Sequence, residues 1–454
     1  MTKDTDNITS TENAESAVQV TDEGTSTGKK GKRGKKKKEK KPFSWKKFGR
    51  GVLIAVAVIV VLCGVAALVS YIGVQSNENF IETLTAVDYD GEQLEPTVDE
   101  YGYTTFVTDD DFKIVQLTDV HIGGGFLSIK KDSMAINAVA AMIQEEKPDL
   151  VIVTGDIAYP VPFQAGTFNN KTAAVMFADL MEQLGVYWCM SFGNHDTESY
   201  SYYTREEIAE AVYESGDYKY CLFESGPEDV DGVGNYVINV RNTAGEITQS
   251  LFMLDSHAYT DDNAFGLAWD YDCIHENQVE WYEAEVLAIT EINGGETPKS
   301  LAFFHMPLAE YKEAWDEFAE NDYEDTENVK YIYGNAGELD RVVYCSDDNF
   351  GFFDKIAELG STQATFCGHD HLNNFSLEYK GIKLCYSYTI DYLAYTGIMK
   401  YGLQRGCTVI TVSPDGSFTS SLENYYQDKY ASTLEKETVT MENYYEDAHS
   451  FEDD

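Results

Sequence analysis

From about residue 110 the chain alternates apolar runs that stop at polar tips with stretches of helical spacing. FKIVQLTD (residues 112–119), DLVIVTGD (149–156) and VYWCMSFGNHD (186–196) read as buried strands. Between and after them, SMAINAVAAMIQEE (133–146), TAAVMFADLMEQLG (172–185) and residues 206–215 carry helical periodicity. Continuously apolar strands alternating with helices predict a largely parallel sheet covered on both faces. The second half is less regular: GNYVINVRN, SLFMLDSH and SLAFFHMP read as strands and ENQVEWYEAEVLAI as a helix. Residues 309–350 read as an acidic insertion. KLCYSYT, GCTVITVSP and GSFTSSLEN look antiparallel, with Pro414-Asp415-Gly416 as a turn. From Tyr425 the acidic, Tyr-rich end reads as a mobile tail, and no internal repeat is present.

One apolar run is of another kind. Residues 51–72, GVLIAVAVIVVLCGVAALVSYI, hold 22 positions without a charge, enough to span a bilayer as a helix. A dense Lys/Arg block with Phe43 and Trp45 precedes it, which by the positive-inside rule leaves the N-terminus cytoplasmic and the rest outside. A cleaved signal peptide fits less well, because its apolar core is shorter and a small-residue cleavage site follows it. The expectation is a single-pass type II anchor in the cell membrane with an extracellular domain. Residues 1–28 are polar and read as disordered. The expected division is a cytoplasmic polybasic tail at 1–50, an anchor at 51–72, a linker at 73–109, a folded domain at 110–424 and an acidic tail at 425–454.

Charge sharpens this division. Residues 1–50 carry 14 Lys/Arg against 7 Asp/Glu, so the remainder holds 19 basic and 71 acidic residues. Such a surface repels nucleic acid, whose binding needs Lys and Arg to replace counterions. With 43% hydrophobic and 13% aromatic residues the chain has ample material for a core. The cysteines show no C-x-x-C, so neither a zinc knuckle nor a redox motif is indicated, and Cys189, Cys367 and Cys385 sit in apolar runs as core residues.

Histidine is scarce, at 8 in 454 residues, yet five lie at or just past strand tips. The first strand ends in Asp119-Val120-His121, the second in Gly155-Asp156, the third in Gly193-Asn194-His195-Asp196. A later one ends in His305, and TFCGHDHLNN supplies Gly368-His369-Asp370-His371. In open α/β sheets ligands bind beyond the carboxyl ends of strands. A solitary histidine is most often a capped or surface residue, and a lone GD means little. All of these tips in this order call for a common reason.

In these motifs the chain resembles the calcineurin-like metallophosphoesterases, whose signature is D-x-H, GD, GNH, H and GH-x-H, and most nearly the branch related to purple acid phosphatases. The resemblance implies an α/β fold, a β-sandwich flanked by helices, here preceded by one transmembrane helix. It implies one metal held by Asp119, His121 and His371, another by Asn194, His305 and His369, and Asp156 bridging them. His195 would face the phosphate as a catalytic residue, with Asp196 orienting it. Imidazole and carboxylate ligands suit two Fe, Zn, Mn or Co ions, divalent or mixed in valence. A water between two such cations loses its proton easily and attacks phosphorus in line. Extended backbone at His369–His371 would send both rings to one side, with Asp370 pointing away, and the glycines at 155, 193 and 368 would allow sharp turns. Asp156-Ile157-Ala158-Tyr159 also reproduces the G-D-x-x-Y spacing that supplies a tyrosinate to ferric iron in purple acid phosphatases. With His121 present, Tyr159 is expected as a wall residue.

The function expected is hydrolysis of phosphate esters, phosphomonoesters favoured, from a phosphorylated small molecule or other phosphoester. The alternative is a cell-surface binding or adhesion module keeping a structural dimetal site. His257, His275 and His449 have no motif partner and read as structural or exposed. Tyr200, Tyr202, Tyr203 and Trp269 read as ordinary packing residues or as lining of a substrate cleft.

Overall fold

A computed structural model describes residues 44–260, 270–395, 398–400 and 405–440. Residues 1–43, Trp269, His449 and the end of the acidic tail lie outside the described residues. The chain forms two compact units, Met1–Ile59 and Val60–Asp454. In the first, the described residues are helical from Trp45. That helix, α1 (Trp45–Glu82), is long and apolar enough to cross a membrane by length and composition. Within the second unit its last turns are packed: Gly73, Asn77 and Ile81 are buried, and Asn77 Nδ2 donates to the Ile129 carbonyl at 3.2 Å. A Cβ at Gly73 would collide with Ile129.

Strands β1 (Thr97–Val98) and β2 (Thr104–Val107) lie in the stretch expected as linker. Then come β3 (Phe112–Leu117), α2 (Ile129–Glu146), β4 (Leu150–Thr154), α3 (Lys171–Leu184), β5 (Trp188–Ser191) and the short α4 (Arg205–Ile208), extended by a π turn to Tyr213. The second half runs β6 (Tyr236–Arg241), β7 (Ile247–Met253), α5 (Glu276–Ile292), β8 (Lys299–Phe303), α6 (Ala309–Glu320), β9 (Val329–Tyr333), α7 (Phe352–Leu359), β10 (Thr362–Cys367), β11 (Ser376–Tyr379), β12 (Ile382–Tyr386), β13 (Gly406–Val412) and β14 (Phe418–Asn424).

These strands build two sheets, ordered β1-β2-β6-β7-β8-β10-β12-β11-β9 and β14-β13-β3-β4-β5. β3, β4 and β5 run parallel, as do β7, β8, β10 and β12 and the pair β2 and β6, while β1–β2, β6–β7, β12–β11–β9 and β3–β13–β14 pair antiparallel. The single parallel sheet suggested by periodicity is therefore a pair of mixed sheets, as the resemblance implied. One apolar cluster joins Ile136 and Met142 of α2, Phe177 of α3, Val151 and Val153 of β4 to Leu301, Phe303 and Phe366 of the other sheet. A second lies on the far face of the larger sheet, under Tyr282 of α5, Trp315 of α6 and Phe352 of α7. The layers are helix, sheet, sheet, helix.

Two expectations change here. Residues 309–320 are not an insertion but α6, which lays Tyr311, Ala314, Trp315 and Phe318 on the sheet at helical spacing. The presumed mobile tail is docked at its start. Tyr425 and Tyr430 are buried, Tyr425 Oη accepts from Asn137 Nδ2 at 2.9 Å, and Tyr430 Oη donates to Glu146 at 2.7 Å.

Candidate metal centre

The carboxyl ends of β3, β4, β5, β8 and β10 meet along one edge of the two sheets, and the loops leaving them are bonded to one another. Asp119 N donates to Gly155 O at 3.1 Å, His121 N to Asp156 O at 3.0 Å, and Gly368 N to His305 O at 3.1 Å. Asp119, His121, Asp156 and His369 all have left-handed φ, at 51°, 52°, 57° and 74°. Each such non-glycine position costs about 1–3 kcal/mol and persists only where surrounding structure imposes it. His369 therefore stands in a tight turn rather than on the extended backbone expected. Gly155, at φ 81°, is a turn glycine, but Gly193 and Gly368 are glycines for closeness: a Cβ would strike Asp156 Oδ1 at the first and Thr118 Oγ1 at the second.

The seven residues expected as metal ligands are brought together. Asp119, His121 and His371 place ligand atoms within 4.8 Å of one another, and so do Asp119, Asp156 and His305. His371 Nε2 lies 3.4 Å from Asp119 Oδ1. On the other side Asn194 Oδ1 lies 3.0 Å from His305 Nε2 and 3.1 Å from His369 Nδ1. Asp156 stands between the halves, its Oδ2 3.1 Å from His121 Nε2 and 3.4 Å from His305 Nε2. Asp119 Oδ1 is buried without a hydrogen-bond partner, an unmet acceptor that a cation would satisfy. The donor set thus fits two metal ions.

A family profile described as calcineurin-like phosphoesterase matches residues 112–373, more than half of the chain. The chain belongs to this family. Among curated proteins, this calcineurin-like phosphoesterase is 28% identical over 321 residues to a "Probable inactive purple acid phosphatase 14" of Arabidopsis thaliana, covering 64% of this chain and 73% of that one. It is 27% identical over 335 residues to a "Probable inactive purple acid phosphatase 29" of the same plant, covering 68% and 78%. "Phosphatase DCR2" of Saccharomyces cerevisiae is 29% identical over 285 residues, covering 59% and 45%. Among solved structures, a dimetal phosphatase from Danio rerio matches 67% of this chain and 94% of its own at a TM-score of 0.40 and 12% identity, too loose a likeness to carry chemistry across.

Two residues of the phosphoesterase site escaped the motifs. Asp391 is fully buried and faces two imidazoles, with Oδ1 3.2 Å from His121 Nδ1 and Oδ2 3.3 Å from His371 Nδ1. It also accepts the N–H groups of Leu393, Ala394 and Tyr395 at 2.7, 2.7 and 2.6 Å. A carboxylate behind a histidine fixes the tautomer that leaves the far nitrogen free for a metal. His305 gets the same treatment from a carbonyl, its Nδ1 lying 2.8 Å from Thr154 O. The second residue is Glu198, whose Oε1 lies 2.7 Å from His195 Nδ1. Asp196, expected to orient His195, instead accepts the N–H groups of Asp156, Ala158 and Gly193 at 2.9, 2.8 and 2.8 Å. Glu198 reaches the ring because residues 194–197 form a turn that brings position i+3 back over i.

The electrostatics follow from this crowding. Burial disfavours charge on His121 and His305, but Asp391 and Asp156 overrule it at the first and Asp156 at the second, lifting both to about 9. Burial and neighbouring His305 push His369 down to about 3. Burial would raise Asp391, yet His121 and His371 hold it well below the usual carboxylate range. Tyr159 Oη donates to Gln164 at 2.8 Å, and its ring packs 4.8 Å from those of both His121 and His195. Asp370 points elsewhere, to the Tyr386 hydroxyl at 2.6 Å. Tyr259 and Tyr271 close the opposite wall: the first accepts from Asn194 Nδ2 at 2.8 Å, the second has its ring 4.6 Å from His369.

Proposed function

We propose that the chain is a membrane-anchored extracellular metallophosphoesterase that hydrolyses phosphate esters, phosphomonoesters favoured, with residues 110–424 as its catalytic domain. The observation that carries this reading is the place of Asp156 Oδ2, within 3.4 Å of one imidazole from each half of the cluster. In this assignment Asp119, His121 and His371 hold one ion, Asn194, His305 and His369 the other, and Asp156 both. Two such ions would supply Lewis acidity toward the phosphoryl oxygens and acidify a nearby water. The chain's own residues do the rest. The Thr154 carbonyl accepts the proton of His305 Nδ1, and the Asp391 carboxylate, 3.2 and 3.3 Å from His121 Nδ1 and His371 Nδ1, favours protons on those nitrogens. His195 is one-fifth exposed, and its Nδ1 is held by Glu198, so its Nε2 is the nitrogen turned to substrate, placed to give a proton to the leaving oxygen. Tyr159 is a wall, because its hydroxyl is committed to Gln164.

The word "inactive" in the names of the plant relatives describes those proteins; an intact ligand set with His195 supports turnover here. The test is hydrolysis of p-nitrophenyl phosphate and bis-p-nitrophenyl phosphate by the metal-loaded chain, with Asp156→Ala and His195→Ala as controls. Turnover abolished by both variants supports the reading. Metal-dependent partner binding without turnover would favour a binding module with structural metals. The type II orientation is supported by the uncharged 22-residue run behind a block of Lys and Arg. Digestion of the folded domain by protease added to intact cells supports it, and protection contradicts it.

A further inference from the structure

A third cluster of metal-capable side chains uses none of the residues assigned above. His257 follows β7, and Asp272 and His275 precede α5; one ligand atom from each lies within 4.8 Å of those of the other two. All three are half-buried, and His257 has a left-handed φ of 61°, the same imposed backbone seen in the dinuclear centre.

The surrounding hydrogen bonds fix which nitrogen of His257 carries its lone pair. Gln278 is buried, and its amide orientation is set by backbone groups: Oε1 accepts from His275 N at 2.7 Å and Nε2 donates to Asp255 O at 2.7 Å. The same Oε1 lies 3.0 Å from His257 Nε2, so that nitrogen holds the proton and Nδ1 the lone pair. His275 Nδ1 lies 2.8 Å from Asp231 Oδ2, and its Nε2 lies 3.0 Å from Asp272 Oδ1. His257 is thus held through Nε2 by a buried amide oxygen, the arrangement found behind metal-binding histidines, while His275 meets the exposed Asp231 at Nδ1 and turns Nε2 to Asp272. Two imidazoles and a carboxylate leave a fourth position open and suit Zn²⁺ or a close first-row neighbour. The two rings are stacked 4.0 Å apart at 17°, so ligation of one ion by both would require the rings to turn out of this stack. An open cleft of about 330 Å³ leads to His275 past Asp231, Glu276 and Glu280, three carboxylates that draw a cation in.

We infer that His257, Asp272 and His275 form a mononuclear transition-metal site that clamps the base of the segment walling the catalytic pocket. Asp272 N bonds to Ala258 O at 3.2 Å, and Thr260 N to Asp270 O at 3.0 Å. Tyr259 and Tyr271 face each other across those two legs and reach Asn194 and His369. An ion at the base therefore holds both tyrosines against the dinuclear centre.

The test uses the full chain in detergent, stripped with chelator, dialysed against Zn²⁺ and assayed for bound metal. A background of His121→Ala, Asp156→Asn and His305→Ala takes ligands from both halves of the dinuclear centre, so the outcome does not depend on the function proposed above. That background is expected to retain one equivalent of Zn²⁺, and adding Asp272→Asn with His275→Gln is expected to remove it. No retained equivalent, or one indifferent to those substitutions, overturns the site. Should the combined variant fail to fold by circular dichroism, Co²⁺ in the background variant is read instead. Visible d–d bands of a four-coordinate N/O site that change on His257→Gln support the assignment, and their absence or indifference to His257→Gln refutes it.

Discussion

Asp391→Asn separates the two duties of the buried carboxylate that the motifs do not show. The two N–H groups bonded to Oδ1, those of Leu393 and Ala394, keep an acceptor in the asparagine oxygen, which also still faces His121. The amide NH₂ then replaces Oδ2 and confronts the Tyr395 N–H and His371 Nδ1. One buried N–H loses its partner, which costs about 1–3 kcal/mol of folding stability. His371 can meet an NH₂ only by turning Nδ1 into an acceptor, which moves its proton to Nε2, the nitrogen nearest Asp119. That tautomer cannot ligate through Nε2, so metal affinity is expected to fall about 10–100-fold. Chelator-buffered metal titration measures the affinity, and thermal unfolding in excess chelator measures the stability. Unchanged affinity in a variant that folds would refute the claim that Asp391 sets the tautomer of His371.

Four further outcomes follow from the same geometry. His195→Ala is expected to lower kcat by about 10²–10⁴-fold, the usual worth of a positioned general acid, while metal content stays at the wild-type value. Glu198→Gln is expected to give a smaller loss of kcat, again at full metal content and with a shifted pH–rate profile, whereas loss of metal would assign Glu198 to the centre instead. Asp196→Ala leaves three buried backbone N–H groups without their acceptor and is expected to cost at least about 3 kcal/mol in denaturant unfolding; a cost below about 1 kcal/mol would show water replacing the carboxylate. The metal-free chain should lose stability as pH rises. His121 and His305, lifted to about 9, contribute fully below their ordinary value near 6.5 and progressively less as pH passes through 9. His369, held near 3, differs between the folded and unfolded states only below its ordinary value near 6.5 and so adds nothing within that window. A thermal midpoint that rises over the same pH range would contradict these assignments, and proton release on metal binding at pH 7.5 provides an independent check.

The strand tips were legible because they combine a scarce residue type with a fixed local setting. Asp119, His121, Asp156, Asn194, His305, His369 and His371 each follow an apolar run, and the fold brings those ends to one edge. Asp391 had no such mark. It sits in SYTIDYLAY with no spacing to a histidine, and only the approach of the loop after β12 to β3 sets it behind His121 and His371. Glu198 was hidden by the turn at 194–197, which makes the near neighbour in sequence, Asp196, the far one in space. Acidity masked structure in two places. In AEYKEAWDEFAE the carboxylates obscured the helical spacing of Tyr311, Trp315 and Phe318, and in the last described residues they hid two buried tyrosines. The N-terminal helix was legible from its uncharged apolar run, whose length suits a bilayer span.

The central claim is that Asp156 joins two metal ions in one hydrolytic centre. Its most direct test is metal counting and phosphoester turnover on the same preparations of wild type and Asp156→Asn, both in the His257→Gln, Asp272→Asn, His275→Gln background, so that the separate cluster adds no ion. Two equivalents and turnover are expected for the first, with less than two and no turnover for the second. Two equivalents with full turnover in Asp156→Asn would contradict the claim.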